Sequence, residues 1–133
     1  MTDDSLDPQL IELANALLDA ARQGDAETVR AFLDSGAPAN LRDASGNSPL
    51  MLAAYHGHAA LVSELAARGA DVDLLNDRGQ SPLAGAAFKG FTEVAEALLE
   101  AGADPDIGEP SGLATARYFE RDEIVELIES RRA

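Results

Sequence analysis

Glycine recurs in this chain at a fixed interval. Gly24, Gly57 and Gly90 stand 33 residues apart, and so do Gly36, Gly69 and Gly102, and again Gly46, Gly79 and Gly112. Three registers on one period imply stacked supersecondary units, each too small to bury a core alone. Chain length and bulk content agree with that. The 133 residues suit one domain. Hydrophobic residues make up 46% but aromatics only 5%. Small, closely packed helices fit such an alanine-rich mixture better than a sheet sandwich does.

The units can be read directly. Asp7-Pro8 starts a helix, with Asp7 as N-cap and Pro8 at the first helical position. Leu10, Ile11, Ala14, Leu17, Leu18 and Ala21 follow at helical spacing, and Gly24 stops the helix. Ser48-Pro49 and Ser81-Pro82 open two further helices, each closed by the next glycine of the first register, Gly57 or Gly90. Alanine pairs, Ala53-Ala54 and Ala86-Ala87, allow two antiparallel helices to approach closely. Asp43 with Gly46, and Asn76 with Gly79, supply turn chemistry between units. The divisions expected are a tail at 1–6, an N-terminal capping repeat at 7–42, repeats at 43–75 and 76–108, and a shortened C-terminal capping repeat at 109–133. In the last, Gly112 keeps the glycine register. The first-register glycine expected at 123 is Glu123, and matching Tyr118 to Phe88 leaves the unit three residues short.

These motifs resemble the ankyrin repeat: a loop tip, two antiparallel helices and a turn. The family's T-P-L-H-x-A appears as Ser48-Pro49-Leu50-Met51-Leu52-Ala53 and as Ser81-Pro82-Leu83-Ala84-Gly85-Ala86. Gly57-His58 followed by Val62, and Gly69-Ala70-Asp71-Val72-Asp73, match two further signatures. The resemblance spans roughly residues 16–130 and implies an all-α ankyrin-repeat solenoid of about four helix-turn-helix units with modified caps, like small stand-alone ankyrin proteins of bacteria. Two departures stand out. Met51 and Ala84 replace the motif histidine, which weakens the expected hydrogen bonding between loops. Gly85 sits inside a helix, where glycine costs about 1 kcal/mol relative to alanine, so that helix is expected to be the least stable in the interior.

Several function classes are disfavoured. The net charge of −14 repels phosphates, so neither nucleic acid nor an anionic membrane surface is an expected partner. No cysteine is present for disulfides or thiolate metal sites, and the expected location is cytoplasmic. The N-terminus has neither the basic nor the apolar region of a signal peptide. His56 and His58 point to different helix faces and lack a third ligand for zinc. His58 is read as making a structural hydrogen bond in its turn. Asp71, Asp73, Asp104 and Asp106 are turn residues with too few oxygens for calcium. No nucleophile–base motif or phosphate loop occurs, so neither catalysis nor a cofactor is expected.

The resemblance implies that a partner would contact the loop tips and the concave face of the first helices. Carried across, that surface holds Arg22 from the first unit; Arg42, Ser45, Asn47, Tyr55 and His56 from the second; Leu75, Arg78, Gln80, Phe88 and Lys89 from the third; and Tyr118, beside Phe119, from the last. In an acidic chain this set is basic and aromatic, and Lys89 is the sole lysine. Arginine and tyrosine with few acids is an interface composition. The expectation is a monomeric, non-catalytic protein-binding module whose partner offers an acidic or polar epitope. The competing readings are a small-ligand sensor or enzyme at Tyr55, His56 and Lys89, or a self-associating scaffold held by the aromatics.

Overall fold

The computed structural model describes residues 8–132. The proposed N-cap Asp7 and the tail at 1–6 lie outside the described residues. Eight helices follow one another: α1 (Pro8–Gln23), α2 (Ala26–Asp34), α3 (Pro49–Tyr55), α4 (Ala59–Ala67), α5 (Pro82–Lys89), α6 (Thr92–Glu100), α7 (Gly112–Tyr118) and α8 (Asp122–Arg132). They pair as α1–α2, α3–α4, α5–α6 and α7–α8. The odd-numbered helices pack in one row, α1 on α3 on α5 on α7, and α4, α6 and α8 pack in a second row behind them.

Local chemistry sets the ends of these helices. Ser48, Ser81 and Ser111 each accept a hydrogen bond from the amide three residues on, at 3.1 Å, and so cap α3, α5 and α7. Asp25 caps α2 by accepting from the Thr28 hydroxyl at 2.7 Å and from the Thr28 amide at 3.2 Å, and these two bonds, the hydroxyl's first, hold its carboxyl below the usual carboxylate range. Between the two rows lie Leu17, Leu50, Leu65, Leu83, Leu98, Ile124 and Ile128, all nearly inaccessible. Each such burial contributes about 1.5–3 kcal/mol. Every residue of α3 from Pro49 to Ala54 is buried, because α1, α4 and α5 enclose that helix.

The glycine at each turn between paired helices answers two demands. Gly57 has φ +85°, which favours glycine, and a Cβ there would lie 3.3 Å from the Phe91 ring of the next repeat. Gly24 stands in the same relation to His58, and Gly90 to Arg121. One flat side chain therefore lies over each preceding glycine like a lid. His58 also places Nε2 2.9 Å from the Arg22 carbonyl oxygen. A carbonyl can only accept, so Nε2 carries the proton. This is the structural bond expected of that histidine, except that it reaches back to the preceding repeat. Arg121 donates to the carbonyls of Ala87 and Phe88 at 3.0 and 2.8 Å.

Three expectations need correction. Gly112 does not continue the turn register. It is the first residue of α7, and a Cβ there would come within 2.7 Å of Leu83, so close helix packing holds it small. The turn before α7 uses Gly108, at φ +92°. Leu10 and Ile11 are helical as expected, but they are exposed and take no part in the core, because no repeat precedes α1 among the described residues. Loop-to-loop bonding also survives the loss of the motif histidine. Asn76 donates to Asn47 at 2.9 Å, Asp77 N–H to the Ser45 carbonyl at 3.0 Å, and Arg42 to the Leu75 carbonyl at 3.0 Å.

Tyr118 lies at the end of α7 as Phe88 lies near the end of α5. Glu120 stands where matching those two residues puts Gly90, and it is the sole non-glycine with positive φ, 56°, among the described residues. Gly85 has a packing reason. A Cβ there would meet the Met51 methyl at 3.2 Å and the Tyr55 ring at 3.4 Å.

Candidate functional site

The row of odd-numbered helices ends in a line of rings. Tyr55 and Phe88, equivalent positions at the ends of α3 and α5, stack nearly parallel with centroids 6.4 Å apart. Phe88 meets Phe119 edge to face at 5.3 Å, and Phe119 meets Tyr118 at 4.9 Å. The rings therefore pack between repeats and remain open to solvent together. Phe88 is 45% exposed, Phe119 40% and Tyr118 80%. A cleft of about 420 Å³ opens among Phe88, Tyr118, Phe119 and Pro110, with Gln80 and Thr115 as polar lining.

The cations divide into two groups. Most arginines are engaged by carboxylates: Arg22 by Asp19, Arg30 by Glu64, Arg42 by Asp77 at 3.5 Å, Arg68 by Asp34, Arg117 by Glu129, Arg131 by Glu100 and Arg132 by Asp106. Among the described residues, Arg78, Lys89 and Arg121 make no ion pair. Lys89 lies over the Tyr55 ring, with Nζ 4.8 Å from its centroid. Arg121 lies 5.9 Å from the Phe119 ring. Arg78 is exposed on the loop between α4 and α5. Two of the three unpaired bases, Lys89 and Arg121, thus stand beside the aromatic row of a chain with net charge −14, while Arg78 lies apart on the loop ahead of α5.

The structure separates the anticipated residues into two sets. Tyr55, His56, Phe88, Lys89 and Tyr118 lie along the aromatic row, and Gln80 lines its cleft. Arg42, Ser45, Asn47 and Leu75 serve mainly to tie one loop to the next. Arg42 binds the Gly46 and Leu75 carbonyls, and Asn47 accepts from Asn76. Arg22 is held by Asp19 in its own helix. Sequence reasoning missed Arg121. The sole available signal was its position after the glycine-equivalent Glu120, and that position shows only once the last unit is shortened by three residues.

His56 packs edge-on against Tyr55, with centroids 5.6 Å apart. Partial burial, then the positive charges of Arg22, His58 and Lys89, hold its pKa below the ordinary histidine value. It is therefore neutral at pH 7. Among the described residues no hydrogen bond joins His56 to a carboxylate, and Lys89 lies over the Tyr55 ring. No group of three or more histidine, cysteine or acidic side chains able to hold a metal ion occurs among the described residues. No described helix is long and apolar enough to cross a membrane.

Comparison with known proteins now decides the family. The model for ankyrin repeats, in three copies, matches residues 17–109, well over half of the chain. This chain is an ankyrin-repeat protein. It is also similar to PA3287, a Pseudomonas aeruginosa protein named as a carrier of ankyrin repeats, with 45% identity over 48 residues. That stretch is 36% of this chain and 28% of the relative, so the match spans less than a third of the relative's length. Ankyrin repeats are in general protein–protein interaction modules without catalytic activity.

Proposed function

We propose that this ankyrin-repeat chain is a non-catalytic adaptor that binds an acidic or polar, partly apolar segment of another protein along its concave face. What carries the reading is the coincidence just described. Of the three bases that make no ion pair among the described residues, two, Lys89 and Arg121, stand next to rings, in a chain with 24 acids and 10 bases. Phe88 and Tyr118 would anchor apolar groups of the partner. Arg78 and Lys89 would take its carboxylates, with His56 and Gln80 at the margin. A cysteine-free binding module of this kind suits a reducing compartment such as the cytoplasm.

The test is affinity capture with purified chain as bait, comparing wild type with the Arg78→Glu, Lys89→Glu double variant. Both side chains are exposed, so the melting curve stays nearly unchanged while capture of the partner falls at least about tenfold, the scale of losing two charge contacts. Capture unaffected by the reversal, with the fold intact, rejects this surface.

A further inference from the structure

Three equivalent pairs of residues line the two sides of the cleft between α5 and α7: Gln80 with Pro110, Ala84 with Ala114, and Phe88 with Tyr118. The cleft stands open because the middle pair is alanine. One repeat earlier Met51 holds that position, where it is buried with its methyl close to Gly85 of α5. No charged side chain lines the cleft.

One polar group in the lining is fixed in orientation. Asn76 is buried, and its Oδ1 accepts the backbone N–H groups of Arg78 and Gln80, both at 3.0 Å. Its Nδ2 therefore donates, to Asn47 Oδ1 and to Gln80 Oε1, both at 2.9 Å. The Gln80 amide is thereby turned so that its oxygen is spent, while Nε2 has no partner among the described residues. Thr115, the other polar side chain with an amide-sized reach from the floor, gives its hydroxyl proton to the Ser111 carbonyl at 2.7 Å. A ligand thus meets aromatic walls, an alanine floor and an amide donor held in place.

Shape and donor together select the occupant. From Gln80 to Phe88 the cleft follows about 12 Å of helical rise. A helix, roughly 10–12 Å across, would ride on the rings and leave the alanine floor unfilled. A β-strand needs a backbone edge to pair with, and these walls are side chains on helices. A polyproline II segment needs no such edge. Proline brings a carbonyl to accept from Gln80, has no N–H to leave unsatisfied, and is ordered by its fixed φ before it binds. We propose that the cleft takes a proline-containing extended segment of the partner, about four residues long at ~3.1 Å each. A proline ring packs among Phe88, Pro110 and Tyr118, and a backbone carbonyl accepts from Gln80 Nε2. This rests on the concave face being the partner surface, as proposed above, and adds which part of the partner the rings hold.

The probe is a dye-labelled run of six prolines, uncharged and capped at both ends, titrated with the full chain and followed by fluorescence anisotropy. So short a segment binds with a dissociation constant of about 100 μM, and an alanine peptide of the same length binds at least about tenfold more weakly. Ala114 is exposed, so Ala114→Leu keeps the circular dichroism melt, fills the cleft and lowers affinity at least about tenfold. Gln80→Glu keeps the oxygen that Asn76 bonds and removes the donor, which lowers affinity about fivefold. The Arg78→Glu, Lys89→Glu chain binds the uncharged probe as wild type does. The proposal falls if the probe does not bind at millimolar chain, if the alanine peptide binds equally, or if Ala114→Leu or Gln80→Glu binds the probe as wild type does. In each of those cases, partner capture that still depends on Arg78 and Lys89 leaves the adaptor reading standing.

Discussion

The two ends of this solenoid solve the same problem differently. A repeat at the end of a stack has one face with nothing to cover it. At the C-terminal end, α8 buries Ile124 and Ile128 and turns outward Asp122, Glu123, Glu126 and Glu129, with Arg131 and Arg132 reaching back to Glu100 and Asp106. At the N-terminal end, α1 buries Leu17, Leu18, Ala20 and Ala21 and presents Leu10, Ile11 and Leu13 to water. Both helices read as amphipathic from their spacing. The first is a cap in position but not in surface chemistry. A cap is thus defined by what its outer face carries, and helical periodicity alone does not reveal that.

The most demanding test of this contrast compares one buried side chain with one exposed side chain. Ile128→Ala removes a side chain that is only 1% exposed and costs about 2–5 kcal/mol in urea unfolding. Leu10→Ala changes stability by less than about 0.5 kcal/mol. Equal costs would mean that the ends do not differ as described. A gain is expected at Glu120, the glycine-equivalent position of the last repeat. Glu120→Gly removes a positive φ from a side-chain-bearing residue and stabilises by roughly 1 kcal/mol, read as a higher denaturation midpoint. A loss there would show that the Glu120 side chain outweighs its backbone strain.

The smallest effect compares equivalent positions in early and late repeats. Asn40 accepts the Asp71 N–H at 2.8 Å, and Asp73 accepts the Asp104 N–H at 2.9 Å. Burial, then the charges of Asp104 and Asp71, raise the Asp73 pKa against the opposing hydrogen bond from Asp104. A carboxyl with a raised folded pKa binds more protons in the native state. Ionised at pH 7 it opposes folding, and the penalty is relieved as pH falls through the folded pKa toward the unfolded value near 3.8. Asp73→Asn, which copies Asn40, therefore stabilises the fold at pH 7 by about 0.5 kcal/mol or less at a partly exposed site, read as a slightly higher melting temperature. The advantage over wild type closes as the pH approaches 4. A constant gap across that range would rule out the charge explanation.

The interior of the fold was legible because its demands are local. Ser48-Pro49 and Ser81-Pro82 announce helix starts, and Gly57 and Gly90 announce turns, by backbone chemistry that needs no neighbour. The misreadings arose where a neighbour decides. Gly112 matched the spacing of turn glycines, yet it is small because Leu83 presses on it. Leu10 and Ile11 matched a core stripe, but a stripe says nothing of whether another repeat lies beyond it. On the candidate site, the rings and Lys89 stood out against an acidic, aromatic-poor background. Arg42, Asn47 and Leu75 looked like surface residues because bonds between loops leave no composition signal, and Arg121 was hidden by the three-residue deletion.

The lids over the turn glycines bear on how such a protein can be recombined. Histidine, phenylalanine and arginine occupy the same place over Gly24, Gly57 and Gly90, each supplied by the following repeat. A crossover within a turn would join a glycine to a lid from another unit and keep the planar contact, at the cost of a hydrogen bond to the preceding repeat where phenylalanine replaces His58 or Arg121. A crossover that brought any larger residue to the glycine position would drive a Cβ toward the lid, to 2.5 Å in the case of Gly24 and His58. Units in this chain are interchangeable at that joint, on the single condition that the smallest residue stays on the upstream side.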